Sequence, residues 1–138
     1  MILEAAAIYC LTQLVYFEAR NQEEPEAKRA VVYTALNRLR NSRWPDTVCG
    51  VVRQKNQFTF YWDGKPEKVY EPEAWKDAEQ AVHEALEFMP HENGGWTHYH
   101  HYKIKPKWAE FMMGSTQIGD HIFYTLDRDW ETDRKSVV

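Results

Sequence analysis

Apolar residues recur at helical spacing in three segments of the chain. The first runs from 2 to 19, the second begins near Pro25 and continues to Leu39, and the third covers 72–89. In each segment apolar side chains return every three or four residues, as they do on the buried face of an amphipathic helix. Pro25 and Pro72 stand near the start of their segments, a position that tolerates proline. The pattern therefore predicts three long helices.

Shorter segments rich in β-branched and aromatic residues predict extended structure. These segments are 51–62, 96–102 and 121–126. A glycine pair at 94–95 interrupts the chain before the second of them, and 106–113 has the pattern of a short helix. The predicted fold class is α+β, dominated by helices and completed by a small antiparallel sheet.

Length and charge limit the organisation and the partners. With 138 residues the chain has room for one domain, predicted over 1–126, followed by a charged tail at 127–138. The formal net charge is −4 and no block of Lys and Arg is present, which disfavours nucleic acid as a partner. No apolar run could cross a membrane, and no basic, signal-like segment opens the sequence. The sequence thus predicts a chain without a membrane partner that starts in the cytoplasm, and a monomer is the default expectation.

Two cysteines occur, Cys10 and Cys49. Cys10 lies within the apolar pattern of the first helix and is typical of core packing. A disulfide between the two is possible, but reduced thiols are the default expectation for a cytoplasmic chain.

An ionisable side chain continues the apolar face of the first predicted helix. The positions that share this face are Leu11, Leu14, Val15 and Glu18. Removal of a carboxyl group from water disfavours its anion, so its pKa rises and it keeps a proton near neutral pH. Such a group can act as a general acid, for example toward a glycosidic oxygen. The alternative is a structural ion pair with one of three arginines, Arg20, Arg29 and Arg38.

Histidines are concentrated in the strand predicted at 96–102. Alternation places His98 and His100 on one face of this strand, with Thr97 and Tyr99 on the other. With His121 as a third ligand, the two imidazoles could bind zinc. No second metal-like spacing accompanies them, so the favoured interpretation is hydrogen bonding to a ligand or to the backbone, with no metal and no cofactor.

Seven short segments stand in a particular order over roughly 12–124. They are Tyr16–Arg20, Ala35–Arg38, Trp44–Val52, Asn56–Phe60, 94–100, Pro106–Ala109 and Ile118–Tyr124. Together they resemble the SleB/CwlJ-type cell wall hydrolases, a family that includes spore cortex-lytic enzymes and phage endolysins. One departure is the segment Asn21–Glu24, where family members often have Gly-Glu.

The resemblance implies a lysozyme-like, largely helical catalytic fold that acts on the glycan strands of bacterial peptidoglycan. The bond cleaved would be the one between N-acetylmuramic acid and N-acetylglucosamine. The family's catalytic glutamate corresponds to Glu18. The residues expected to bind substrate are Gln57, Phe58, Thr97, His98, Tyr99, His100 and Tyr124.

The resemblance favours a lytic transglycosylase, in which one carboxyl group acts first as acid and then as base. A hydrolysing muramidase would need a second carboxylate, for which the candidates are Glu23, Asp63 and Asp120. Readings from other classes are a zinc-dependent amidase built on the histidines and a non-catalytic glycan-binding module. Because no export signal or separate wall-binding module is evident, the sequence predicts a phage endolysin. Such a protein would reach the wall from the host cytoplasm by holin-type release.

Overall fold

Along the part of the chain that the structure describes, four α-helices come first and three strands follow them. That structure is a computed structural model, and it describes residues 3–54 and 71–126. The helices are α1 (Ala5–Ala19), α2 (Pro25–Leu39), α3 (Val48–Val52) and α4 (Pro72–Glu92), followed by a 3-10 helix over Lys107–Phe111. The strands are β1 (His98–His101), β2 (Met113–Ile118) and β3 (His121–Thr125). None of the helices in the described ranges is both long and apolar enough to cross a bilayer.

Helix α2 is the centre of the helical core. It packs against α1, α3 and α4, and every residue from 30 to 39 is buried. Three of these buried residues are polar, Thr34, Asn37 and Arg38, and the last two lie in the final turn of the helix. Groups of that kind remain buried only when hydrogen bonds satisfy them. The last turn of α2 is therefore a place where the fold needs specific partners.

The three strands form an antiparallel sheet in the order β1-β3-β2. In the β1–β3 pair, Tyr99 lies opposite Phe123 and His100 lies opposite Ile122. Residues paired in this way point to the same side of a sheet. Tyr99 and Phe123 therefore face the helical core, of which Phe123 is a buried member. The next residues along β1 and β3 face the other way.

The β2–β3 turn is tied to the chain that follows α1. Gly119 adopts a φ of 62°, and a Cβ at this position would collide with the side-chain oxygen of Gln22. The same oxygen accepts a hydrogen bond from the backbone N–H of Asp120 at 2.9 Å. Gln22 belongs to the segment in which the sequence departs from the resembled family, so one of the altered residues anchors the β2–β3 turn.

The predicted fold class is confirmed, and the three long helices are present. Helix α1 begins three residues later than predicted, and α4 continues beyond 89 to Glu92. The strands predicted at 96–102 and 121–126 correspond to β1 and β3. The predicted short helix at 106–113 is the 3-10 helix.

The prediction of a strand at 51–62 is wrong for the residues of this segment that the structure describes. Val51 and Val52 form the end of α3, and 55–62 lie outside the described residues. The hydroxyl of Thr47 accepts a hydrogen bond from the backbone N–H of Gly50 and caps this short helix at its start. Both valines are fully buried, and burial against neighbouring helices outweighs their weak preference for strands.

Strand β2 was not predicted from the sequence. Five of its six residues are exposed, and its polar sequence lacks the alternation that indicates a half-buried strand. Its position is decided by pairing with β3, a contact between residues that sequence patterns do not reveal.

The expectation of reduced thiols is also wrong, because Cys10 and Cys49 form a disulfide. The bond joins α1 to α3, with the two Cα atoms 5.4 Å apart across a sequence separation of 39. The error followed from the missed helix, since only the packing of α3 on α1 brings the two cysteines together. The proposed boundary between a domain at 1–126 and a tail stays a prediction, because 127–138 lie outside the described residues.

Candidate active site

Glu18 lies in the last turn of α1, partly buried between the helices and the sheet. Its Oε1 atom accepts a hydrogen bond from the hydroxyl group of Tyr99 at 2.7 Å. Burial raises the pKa of the Glu18 carboxyl above its ordinary value of 4.5, because the anion loses hydration. The Tyr99 hydrogen bond and the charge of Arg38 act in the opposite direction and limit this rise. The site therefore holds a carboxyl group that can exist in both protonation states.

Tyr99 is fixed as a hydrogen-bond donor to this carboxyl group. Its ring packs against those of Phe123 and His121, with centroids 5.4 and 4.9 Å away. Burial and the neighbouring Glu18 raise the pKa of the Tyr99 hydroxyl well above its ordinary value of 10. The phenol consequently keeps its proton throughout the physiological range.

Asn37 and Arg38 attach the chain before β1 to the end of α2. The Asn37 side-chain amide donates to the carbonyl of Trp96 at 2.7 Å, and Arg38 Nε donates to the carbonyl of Thr97 at 2.7 Å. These two bonds fix the backbone two or three residues before Tyr99. The sequence singled out Asn37 only as part of a resembling segment, whereas Arg38 was also a candidate ion-pair partner of Glu18. Because both side chains are buried and bonded to the chain just before β1, they position the strand whose Tyr99 contacts Glu18.

Arg38 also supplies positive charge at the site. Burial lowers its pKa to about 10, which leaves it protonated at neutral pH. Three arginines were considered as ion-pair partners of Glu18. Arg29 instead forms an ion pair with Glu92, in which Arg29 Nε lies 2.8 Å from Glu92 Oε1. Arg20 lies 4.0 Å from Glu71. Of the three arginines considered, Arg38 is the one whose charge acts on Glu18.

A second group of predicted residues lies on the outer face of the sheet. His100 Nδ1 lies 2.7 Å from the carbonyl oxygen of His101, so Nδ1 is the donor of that hydrogen bond. The other ring nitrogen, Nε2, therefore accepts from the Tyr124 hydroxyl at 2.8 Å. The His98 ring lies between those of Trp44 and Trp108, with centroids 5.8 and 5.2 Å away. Burial and Arg38 lower the pKa of His98 to about 4, so its ring is neutral at pH 7.

The structure thus brings the predicted site residues together in two groups on opposite sides of β1. Glu18 and Tyr99 are in direct contact on the core side, whereas His98, His100 and Tyr124 lie on the outer side. Thr97 connects the two sides, because its carbonyl accepts from Arg38 and its hydroxyl lies 2.9 Å from His98 Nδ1. Gln57 and Phe58 lie outside the described residues.

The histidines do not converge on a common point. His121 lies opposite His101 in the β1–β3 register, which places it on the core side of the sheet, away from His98 and His100. Within 3–54 and 71–126, no three His, Cys, Asp or Glu side chains are grouped as metal ligands would be. The geometry gives the zinc-amidase alternative no support.

The candidate second carboxylates occupy other places. Asp120 is in the β2–β3 turn, where its Oδ2 lies 3.3 Å from the Gln22 amide nitrogen. Glu23 lines a surface cavity of about 390 Å³ between α2 and α4. Asp63 lies outside the described residues. Among the described residues, the site is built on one buried carboxyl group, one phenol and one guanidinium.

The chain belongs to the Cell Wall Hydrolase family, whose pattern matches residues 22–124. The match begins just after Glu18, so the assignment of this residue depends on the geometry described above. The resemblance inferred from the seven sequence segments is confirmed.

Two solved structures and a curated protein show the same relationship. The catalytic domain of the germination-specific lytic transglycosylase SleB from Bacillus anthracis matches with a TM-score of 0.70 and 25% identity over 89% of this chain and 97% of that one. The catalytic domain of Bacillus cereus SleB matches with a TM-score of 0.74 and 25% identity over 90% and 93%. A spore cortex-lytic enzyme of Oceanobacillus iheyensis is 32% identical over 120 residues. The chain spans 40% of that protein's length, and the alignment includes 84% of this chain.

These relatives correct the predicted route to the wall. The curated relative is a spore cortex-lytic enzyme and the solved structures are SleB catalytic domains, one of them described as germination-specific, so the prediction of a phage endolysin released from the host cytoplasm is wrong. That prediction depended on where the sequence begins, which does not determine a compartment. The disulfide also argues against the predicted cytoplasmic start, because such bonds are rare in the reducing cytoplasm.

Proposed function

We propose that this chain is a peptidoglycan-cleaving catalytic domain, that it acts as a lytic transglycosylase, and that Glu18 is its general acid and base. The observation that carries the proposal is the Glu18 carboxyl group, raised in pKa by burial and held at 2.7 Å by the Tyr99 hydroxyl. The names of the relatives support the substrate class and the reaction type. The substrate is the bond between N-acetylmuramic acid and N-acetylglucosamine in the glycan strand.

The reaction requires one carboxyl group in two successive roles. Protonated Glu18 gives its proton to the glycosidic oxygen, the bond from that oxygen to C1 of the muramic residue breaks, and the glucosamine end leaves with a free hydroxyl. The Glu18 carboxylate then removes the proton from the C6 hydroxyl of the same muramic residue while that oxygen bonds to C1. The product is a 1,6-anhydro end, Glu18 is protonated again, and no water is consumed.

Tyr99 and Arg38 adjust the carboxyl group for both roles. Burial alone favours the acid, whereas the hydrogen bond and the positive charge favour the carboxylate. A carboxyl group with a pKa near the working pH is the most effective when it must both donate and accept a proton. We assign Tyr99 and Arg38 as positioning residues for Glu18.

The Tyr99→Phe variant should show a pH–rate profile displaced to higher pH. Loss of the hydroxyl removes an interaction that lowers the pKa of Glu18, so this pKa rises further. The alkaline limb, which reports loss of the protonated acid, should move to higher pH. A profile of kcat/KM against pH measures it, and an alkaline limb that stays in place would contradict the role given to Tyr99.

We further propose that His98 and His100 contact substrate, with the indole rings of Trp44 and Trp108 as neighbouring sugar-stacking surfaces. Thr97 and Tyr124, expected from the sequence to bind substrate, are buried, so we propose instead that their hydroxyl groups position His98 and His100. Flat apolar rings with polar groups beside them suit the faces and hydroxyl groups of sugars. Gln57 and Phe58 stay predictions for the same groove. A monomer is the proposed active form.

Mass spectrometry of muropeptides tests the function. Purified peptidoglycan digested with the chain should yield 1,6-anhydromuramic ends. Reducing ends that carry one added water would instead indicate a hydrolysing muramidase and a second carboxylate. Released peptides with no new sugar ends would overturn glycan cleavage altogether.

A further inference from the structure

Residues 102–113 cross the outer face of the sheet between β1 and β2. The backbone N–H of Tyr102 donates to the carbonyl of Asp120 at 2.9 Å and fixes the start of this crossing. The Trp108 ring packs onto the sheet, with centroid distances between 5.2 and 5.7 Å to three rings, those of His98, His100 and Tyr124. The crossing therefore rests directly on His98 and His100, the side chains proposed above to contact the glycan.

The crossing presents three alternating lysines to solvent. Lys103, Lys105 and Lys107 are all exposed, and we call them the lysine surface. None of them forms an ion pair with a carboxylate within the described ranges 3–54 and 71–126. Between 102 and 113 the sequence contains a single acidic residue, Glu110.

Exposed apolar side chains alternate with these lysines. Tyr102 is 47% exposed and Ile104 is 67% exposed, and the Lys103 ammonium lies 5.9 Å from the centroid of the Tyr102 ring. Positive groups interleaved with apolar ones fit a ligand that combines carboxylates with short alkyl groups. The chain as a whole has a net charge of −4, which repels polyanions, so an anionic ligand would be attracted at this surface in particular.

We propose that the lysine surface binds the free carboxylates of the stem peptides that project from the glycan strand, and so favours peptide-bearing strands as substrate. This inference rests on the proposed function, because the stems reach the surface only if the glycan lies along the neighbouring face of the sheet. The stem peptides offer both chemical features that the surface requires, carboxylate groups and the methyl groups of alanine. They also recur along the strand, so several weak contacts can act together.

The test compares two forms of one insoluble substrate. Sacculi are first freed of phosphate polymers by acid extraction, and one half is then treated with a carbodiimide and excess ammonium to convert the stem carboxylates to amides. Lys103→Gln/Lys105→Gln is compared with Lys28→Gln/Lys76→Gln, a matched pair on α2 and α4 with the same change in charge. The measurements are the rate of glycan cleavage and, in a Glu18→Gln background, the fraction of protein that sediments with the sacculi.

The expected result is a loss confined to one pair and one substrate. Lys103→Gln/Lys105→Gln should lower cleavage and binding on untreated sacculi by roughly three- to tenfold at low salt, as two exposed ion pairs predict. On amidated sacculi the same variant should cleave and bind as well as the unsubstituted chain. The control pair should behave like the unsubstituted chain on both substrates.

Other outcomes would overturn the proposal. Equal losses on untreated and amidated sacculi would show that the lysines do not recognise carboxylates, and equal losses in the two pairs would indicate a general charge effect. Sedimentation with phosphatidylglycerol vesicles that depends on Lys103 and Lys105, with no dependence on sacculi, would assign the surface to a membrane instead. The binding arm needs no catalysis, so it decides this proposal even if Glu18 is not the catalytic group.

Discussion

Replacement of Glu18 by Gln should lower kcat by about 10³-fold or more, with the fold retained. The amide keeps an oxygen that can accept from Tyr99 at nearly the same place, but it can neither donate nor remove a proton. General acid–base groups contribute about 10²–10⁴-fold each, and here one group performs both roles. The measurement is the rate at which new glycan ends form on purified peptidoglycan.

Glu23→Gln is the matched control, because it makes the same chemical change at an exposed position outside the site. Its rate should stay within about twofold of the unsubstituted chain, as expected for a solvated surface charge. If Glu18→Gln retained full activity, the proposed mechanism would be wrong. If both variants lost activity, Glu23 would become the second carboxylate of a hydrolytic enzyme.

Stability should change with pH in a way that marks Glu18 as buried. Its folded-state pKa is raised above the ordinary value of 4.5, so between these two values the folded chain binds more protons than the unfolded chain. The free energy of unfolding therefore falls as pH rises through that interval. Glu18→Gln lacks this loss, so the variant should be more stable than the unsubstituted chain at pH 7 and similar to it below pH 4.5.

Removal of the disulfide should produce the largest loss of stability. The bond closes a loop with a sequence separation of 39, and the chain-entropy account gives about 3–4 kcal/mol for a loop of this length. Urea unfolding of Cys10→Ala/Cys49→Ala against the oxidised chain measures the difference. The bond joins α3 to the helix that bears Glu18, so activity at raised temperature should fall as well.

The reduced, unsubstituted chain separates the bond from the side chains. It should resemble the double variant, and the double variant should be insensitive to a reducing agent. Equal unfolding midpoints for the oxidised chain and the double variant would contradict the assigned disulfide.

The sequence indicates much of the helical core, because α1, α2 and α4 each carry a local signal. Apolar residues return at helical spacing, and Pro25 and Pro72 stand where helices accept proline. Glu18 was recognisable for the same reason, since it continues an apolar helical face. The strands that carry aromatic and β-branched residues were also visible in the sequence.

Features that depend on contacts between distant segments were not visible. Strand β2 exists because β3 pairs with it, and α3 forms where Val51 and Val52 are buried against other helices. The disulfide follows from that packing. A sequence pattern records local preferences only, so it does not report these arrangements.

The candidate site shows the same division. The sequence by itself determined that a carboxyl group would be drawn out of water at the end of the first helix, because helical periodicity fixes which face each residue occupies. Only the tertiary structure decided that Tyr99 is its hydrogen-bond donor, that Arg38 supplies its positive charge, and that His98 and His100 lie on the other side of the strand. Those relations depend on the register of the sheet and on the hydrogen bonds from α2 to the chain before β1. Both are set by packing between segments far apart in sequence.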